Sequence, residues 1–135
     1  MDRAQFLRKT CYATLALAGS CFLLSDCKPS SIIESNGEAI IPLSSFKKGN
    51  TIIFSSTTHI QKIIVIKEKD ETYKALLLKC THKGTELEMK DNMLVCPAHG
   101  SKFDLEGNVL SVPANRPLRT FPVKVESTKI IIQLI

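Results

Sequence analysis

From residue 38 onward, large apolar side chains arrive in short bursts separated by polar breaks. The bursts are "EAIIPL" (38–43), "NTIIFSS" (50–56), "IQKIIVIKE" (60–68) and "TYKALLLK" (72–79). They are rich in β-branched residues and too short for helices, so each predicts a strand. The breaks are Lys47-Lys48-Gly49-Asn50 and Glu68 to Glu71. "TELEM" and "NMLV" flank Lys90-Asp91-Asn92, which predicts a polar hairpin tip. "VPANRPLRTFPVKVE" carries three prolines and suits loop and edge-strand backbone. "KIIIQLI" closes the chain as a strong strand. No window after residue 30 keeps a helical period, which predicts an all-β fold of many short strands.

The first 27 residues have another texture. "MDRAQFLRK" is a basic head, and "TCYATLALAGSCFLL" follows without a charge. With the small residues Ala18, Gly19 and Ser20, this is the pattern of an export signal or short membrane anchor. The apolar run falls short of the roughly 20 residues that span a bilayer comfortably. "DRAQFLRK" resembles a twin-arginine export motif with Ala4 in place of one arginine. Cys27 and Cys21, near the end of the run, are similar to the lipidation sites of bacterial lipoproteins, and Cys27, with a polar tether after it, is preferred. Residues 28–37, "KPSSIIESNG", read as that tether, and 38–135 as one domain. The net charge of +5 is scattered, with no basic stripe or aromatic interleaving, so nucleic acid is not expected as a partner.

Chemistry concentrates between Cys80 and Asp104. Cys80-x-His82 is followed, thirteen residues on, by Cys96-x-x-His99. These are the only cysteines and two of the three histidines after residue 27. Gly84 and Gly100 follow the histidines, where they allow the backbone a sharp turn close to a buried sulfur or metal. One disulfide would use the thiols but would leave the imidazoles unexplained. Two thiolates and two imidazoles suit either one tetrahedral zinc or a [2Fe–2S] cluster with Cys₂ on one iron and His₂ on the other. Spacing alone leaves both open.

The surrounding residues resemble the Rieske iron–sulfur family. The resemblance covers "CTHKG" (80–84), "CPAHGSKFD" (96–104) and the proline-bearing "GNVLSVPANRPL" (107–118). It implies one [2Fe–2S] cluster in a part spanning about 79–114. Cys80 and Cys96 would hold a buried iron, and His82 and His99 an outer one with their free ring nitrogens toward solvent. The loop around Pro113 would help enclose the cluster. Neutral imidazoles in place of anionic thiolates raise the potential into a range of roughly −150 to +300 mV. The implied role is electron transfer, with a redox protein or quinol meeting the His82/His99 face.

Departures from the family pattern sharpen this. Its high-potential members carry a disulfide across the cluster where this chain has Thr85 and Ala98. They carry a tyrosine bonded to a ligand sulfur where this chain has Phe103, whereas Ser101, which resembles the donor to a bridging sulfide, is kept. Val112 replaces a glycine usual before the loop proline, and the spacing between the motifs is slightly short. Loss of the tyrosine donor and of the disulfide predicts a lower potential and looser loops, while the shortening is placed at the Lys90–Asn92 tip, where it is tolerated. The expected function is a membrane-tethered electron carrier, such as the iron–sulfur subunit of a quinol-oxidising complex. The alternatives are a ferredoxin feeding an oxygenase and a zinc-stabilised or metal-free binding module. His59, in polar "SSTTH", reads as a surface loop residue. Lys79, Lys83 and Lys102 read as solubility residues beside the motifs, with contact to an anionic partner as the alternative.

Overall fold

The computed structural model describes residues 31–135, which form three four-stranded antiparallel sheets. The strands are β1 (Ile33–Ser35), β2 (Glu38–Pro42), β3 (Thr51–Phe54), β4 (Ile63–Lys67), β5 (Tyr73–Leu77) and β6 (Glu88–Lys90). They continue with β7 (Met93–Val95), β8 (Lys102–Phe103), β9 (Val109–Ser111), β10 (Thr120–Phe121), β11 (Val123–Val125) and β12 (Lys129–Gln133). The sheet orders are β1-β2-β12-β11, β10-β5-β4-β3 and β6-β7-β8-β9. The export segment and lipidation candidates Cys21 and Cys27 lie outside the described residues. Among the described residues, no helix is long and apolar enough to cross a membrane.

The second sheet is the middle layer, and its sequence shows why. In β4, Ile63, Ile64, Val65 and Ile66 are all buried, a continuous apolar run of the kind a strand covered on both faces requires. Ile63, Val65, Ala75 and Leu77 face a core shared with Ala39, Ile41, Ile130 and Ile132 of the first sheet and with Leu134 just after it. Ile64, Ile66, Leu76 and Leu78 face a second core shared with Leu87, Leu94, Phe103 and Leu118. Each such side chain contributes about 1.5–3 kcal/mol by leaving water. Cys80 and Cys96 belong to this second core.

The third sheet and its loops form an excursion from the middle one. The chain leaves β5 after Leu77 and returns at β10, which pairs with β5 through Thr120↔Leu76 and Phe121↔Ala75. The excursion therefore runs on to Arg119, past the expected end near residue 114. Lys74 of β5 bridges Glu68 and Glu106 and so ties this cap to the base. Pro122 separates β10 from β11, edge strands of two different sheets, as the proline-rich sequence predicts.

Three expectations need correction. Residues 33–35, read as part of the tether 28–37, form β1. Asn36 and Gly37, both at positive φ, make a two-residue turn that pairs Ser35 with Glu38. Residues Leu43–Lys48, read as the end of a strand and a break, form a 3₁₀ segment that buries Phe46. His59 is not a free loop residue. Its Nε2 lies 3.0 Å from the Leu134 carbonyl and its ring packs on Phe121. The polar residues before it turn to Glu34 instead, so the imidazole folds inward.

Candidate metal centre

Two loops of the same construction carry the four candidate ligands. In the first, Cys80 N–H donates to the Thr85 carbonyl at 2.8 Å and Gly84 N–H to the Cys80 carbonyl at 2.8 Å. In the second, Cys96 N–H donates to the Ser101 carbonyl at 2.8 Å and Gly100 N–H to the Cys96 carbonyl at 2.9 Å. An antiparallel pair closes each loop, Lys79↔Glu86 and Val95↔Lys102. Gly84 and Gly100 take φ of +79° and +76°, a left-handed conformation that side-chain-bearing residues adopt at a cost. The turn drives each cysteine inward, where each is only 2% exposed.

The histidines stand one position apart in the two loops, +2 from Cys80 and +3 from Cys96. That offset brings their exposed rings edge to face, with centroids 5.0 Å apart and planes at 80°. Below them, the Cys96 thiol meets the Cys80 side chain, the Thr85 hydroxyl and the N–H groups of His99 and Ala98. Burial pushes that thiol up, but the two N–H groups, with Cys80 and Thr85, outweigh it and hold it below the ordinary thiol value. A thiol so placed becomes a thiolate readily, as metal ligation requires.

A third loop packs on both. Ala114 N–H donates to Ser101 Oγ at 3.0 Å. Thr81 Oγ1 donates to the Arg116 carbonyl at 2.7 Å, and Ser111 Oγ to the Gly100 carbonyl at 3.3 Å. Pro113 sits exposed on this loop, after a cis Val112–Pro113 peptide. Ser101 is wholly buried, and because its oxygen accepts the Ala114 N–H, its own proton remains to be donated. Phe103 is wholly buried in the second core. Outside the loops, Gln61 Nε2 donates to the Gly84 carbonyl at 3.0 Å.

The donors thus form two pairs, buried sulfurs and exposed imidazoles that pack edge to face. A two-iron cluster takes a pair of ligands at each of two irons. With thiols in the core and imidazoles together at the surface, the residues present fit a [2Fe–2S] group, which supplies one-electron chemistry when bound.

Sequence reasoning missed Thr85 as a donor. It read position 85 as a lost disulfide partner, yet the hydroxyl there lies close enough to help lower the thiol of a candidate ligand. Thr85 and Ser101 occupy equivalent places, each one residue past the loop glycine. That correspondence, read from the two motifs side by side, is the signal that could have found it.

Fold and site together define a protein of iron–sulfur electron transfer. Residues 39–122 match the Rieske [2Fe-2S] domain family, and the chain belongs to that family, whose members bind one such cluster. No curated relative matches the chain in sequence. Among solved structures, it is similar to the plasma membrane Rieske protein PetC3 of Synechocystis PCC 6803. Identity there is 26%, over 67% of this chain and 93% of that one, with a TM-score of 0.58. It shares the fold of the ferredoxin of carbazole 1,9a-dioxygenase from Nocardioides aromaticivorans IC177, at 23% identity over 69% and 92% of the two chains and a TM-score of 0.50. It also shares the fold of part of the quaternary ammonium Rieske monooxygenase CntA, at 22% identity over 64% of this chain and 28% of that one, with a TM-score of 0.53. The zinc or metal-free reading is set aside by the family match.

Proposed function

We propose that Cys80 and Cys96 hold the buried iron of the cluster, that His82 and His99 hold the outer iron, and that the protein carries electrons while tethered outside the cytoplasmic membrane. The observation that supports this is the sorting of the four side chains, thiols in the core and imidazoles at the surface. Buried sulfurs keep water from the cluster. Exposed imidazoles bring the redox centre within reach of a partner. Residues 1–27 provide export and anchorage, with Cys27 lipidated in preference to Cys21. In this setting the protein serves as the iron–sulfur subunit of a quinol-oxidising complex; the likeness to a plasma membrane Rieske protein supports the membrane setting.

A ferredoxin that feeds an oxygenase is the second reading. Thr85, Ala98 and Phe103 favour it, because they replace the disulfide and tyrosine of the high-potential members that the sequence otherwise resembles. The export segment favours the first.

Iron and sulfide analysis of the purified protein tests the assignment, with an expected two of each per chain. The reduced protein should give a rhombic EPR signal of low average g. Stoichiometric zinc without iron, from cells able to build clusters, overturns it. For the tether, the native chain should fractionate with membranes and Cys27→Ser should release it. Release by Cys21→Ser alone would move the lipid to Cys21, and a wholly cytosolic native chain would refute export.

A further inference from the structure

The described part of the chain holds fourteen Lys and Arg residues, and their pairing is uneven. Lys62, Lys67, Lys74, Lys90, Lys124 and Lys129 each lie within salt-bridge distance of a glutamate. Five of the remaining eight are Lys79, Lys83, Lys102, Arg116 and Arg119, all exposed and all on the segments around the cluster site. Those segments, residues 79–85, 96–103 and 111–121, contain no Asp or Glu. Lys79, Lys83, Arg116 and Arg119 line an open groove of about 600 Å³ whose wall includes His82. Arg119 is fixed over the Phe121 ring, 5.1 Å from its centroid.

The same three segments also expose apolar side chains beside the histidines. Pro97 and Ala98 precede His99, and Val112, 78% exposed, and Pro113 precede the residue that bonds Ser101. An apolar centre with a charged rim is the anatomy of a protein-binding surface. A solubilising charge would serve anywhere on the domain. Here the three loops hold no acid, and the two acids that flank them, Glu86 and Asp104, are engaged by Lys62 and Asn108. We propose that Lys79, Lys83, Lys102, Arg116 and Arg119 form a cationic collar around the electron-exit face, and that it docks a redox protein with an acidic surface about its own centre. The proposal rests on the ligand assignment above, and it replaces the reading of these lysines as solubility residues.

The cluster-loaded full chain in detergent, reduced with dithionite and freed of excess reductant, allows a direct test. Each reduced cluster gives one electron to a small oxidant, either anionic ferricyanide, which becomes ferrocyanide, or cationic hexaammineruthenium(III), which becomes the ruthenium(II) ion. Stopped-flow rates are compared between about 10 mM and about 500 mM salt, a range over which screening shortens from some 30 Å to a few ångströms. The ferricyanide rate should fall by about tenfold or more with salt while the cationic oxidant speeds up. Lys83→Glu with Arg116→Glu should flatten both trends, and Lys47→Glu with Lys48→Glu, away from the three loops, should leave them. At low salt, poly-L-glutamate should slow the ferricyanide reaction more than citrate at equal carboxylate concentration. Equal salt responses for both oxidants, or equal effects of the two double variants, overturn the collar. Equal inhibition by citrate and poly-L-glutamate overturns docking of an extended acidic surface in favour of a small-anion site. A preparation without iron refutes the ligand assignment instead, so the two failures are distinct.

Discussion

Two hydroxyls occupy matching positions in the ligand loops, Ser101 wholly buried and Thr85 half-buried. A hydrogen bond to a sulfur favours the more negative, reduced cluster, so each donor should raise the midpoint potential. Such a bond to a charged acceptor is worth about 1.5–3 kcal/mol in full, but only its change between oxidation states counts here. Ser101→Ala and Thr85→Val should each lower the midpoint by some tens of millivolts, on the order of a fraction of that bond energy. Protein-film voltammetry reads both. A midpoint unmoved by either variant would place these hydroxyls off the cluster. Phe103 offers no donor, so these two carry the tuning on which the sequence placed Ser101 alone. The proposed ligands Cys80, His82, Cys96 and His99 stand out in the sequence because thiols and imidazoles are the residue types a metal site requires. Thr85 does not, because a hydroxyl gains its meaning only when a fold places it against a sulfur.

At the level of elements, β1 shows how a polar segment can be held in a sheet. Glu34 accepts bonds from Ser56 Oγ at 3.0 Å, Thr57 N–H at 2.9 Å, Thr57 Oγ1 at 2.8 Å and Thr58 Oγ1 at 2.9 Å. Burial raises this carboxyl, but the Thr57 N–H and the three hydroxyls outweigh it and hold it at about 2. Its folded value lies below its unfolded one, so its contribution is complete above about pH 4.5 and fades as pH falls toward 2. Glu34→Gln should lower the melting temperature at pH 7 by about 2–4 °C, a figure kept small because the pair groups are largely solvated. The gap between variant and native should close near pH 2, as paired calorimetric scans would show. An equal gap at both pH values would mean that the charge contributes nothing. "KPSSIIESNG" hid this strand because its only apolar pair is flanked by polar residues and Ile33 is exposed. β4, by contrast, was legible from "IIVI", since a strand covered on both faces leaves no polar position in its run.

Taken together, residues 31–135 are a base of two sheets and a cap that carries the proposed site. Because Cys80 and Cys96 are part of the second core, removing the cluster should loosen that core first. Hydrogen exchange on the apo protein should rise across residues 79–119 and stay slow in β2 and β12, whose side chains Ile41, Ile130 and Ile132 lie in the other core. A uniform rise would show that the two cores unfold as one. The all-β class followed from the short apolar bursts. The collar did not, because Arg116 and Arg119 are distant in sequence from Lys79 and Lys83 and converge only when the third loop folds back.

That folding back also decides what could be transplanted. The cap begins and ends at neighbouring strands, so a short turn from Leu78 to Thr120 would in geometry replace it. The base left behind would then show water the second face of its middle sheet, with Ile64, Ile66, Leu76 and Leu78 laid side by side. A contiguous apolar face of that kind drives association. The redox cap is therefore a lodger that brings walls but no floor: moved elsewhere, it needs a host whose sheet is oily on the matching side, and a base that gives it up must be repainted with polar residues to remain single.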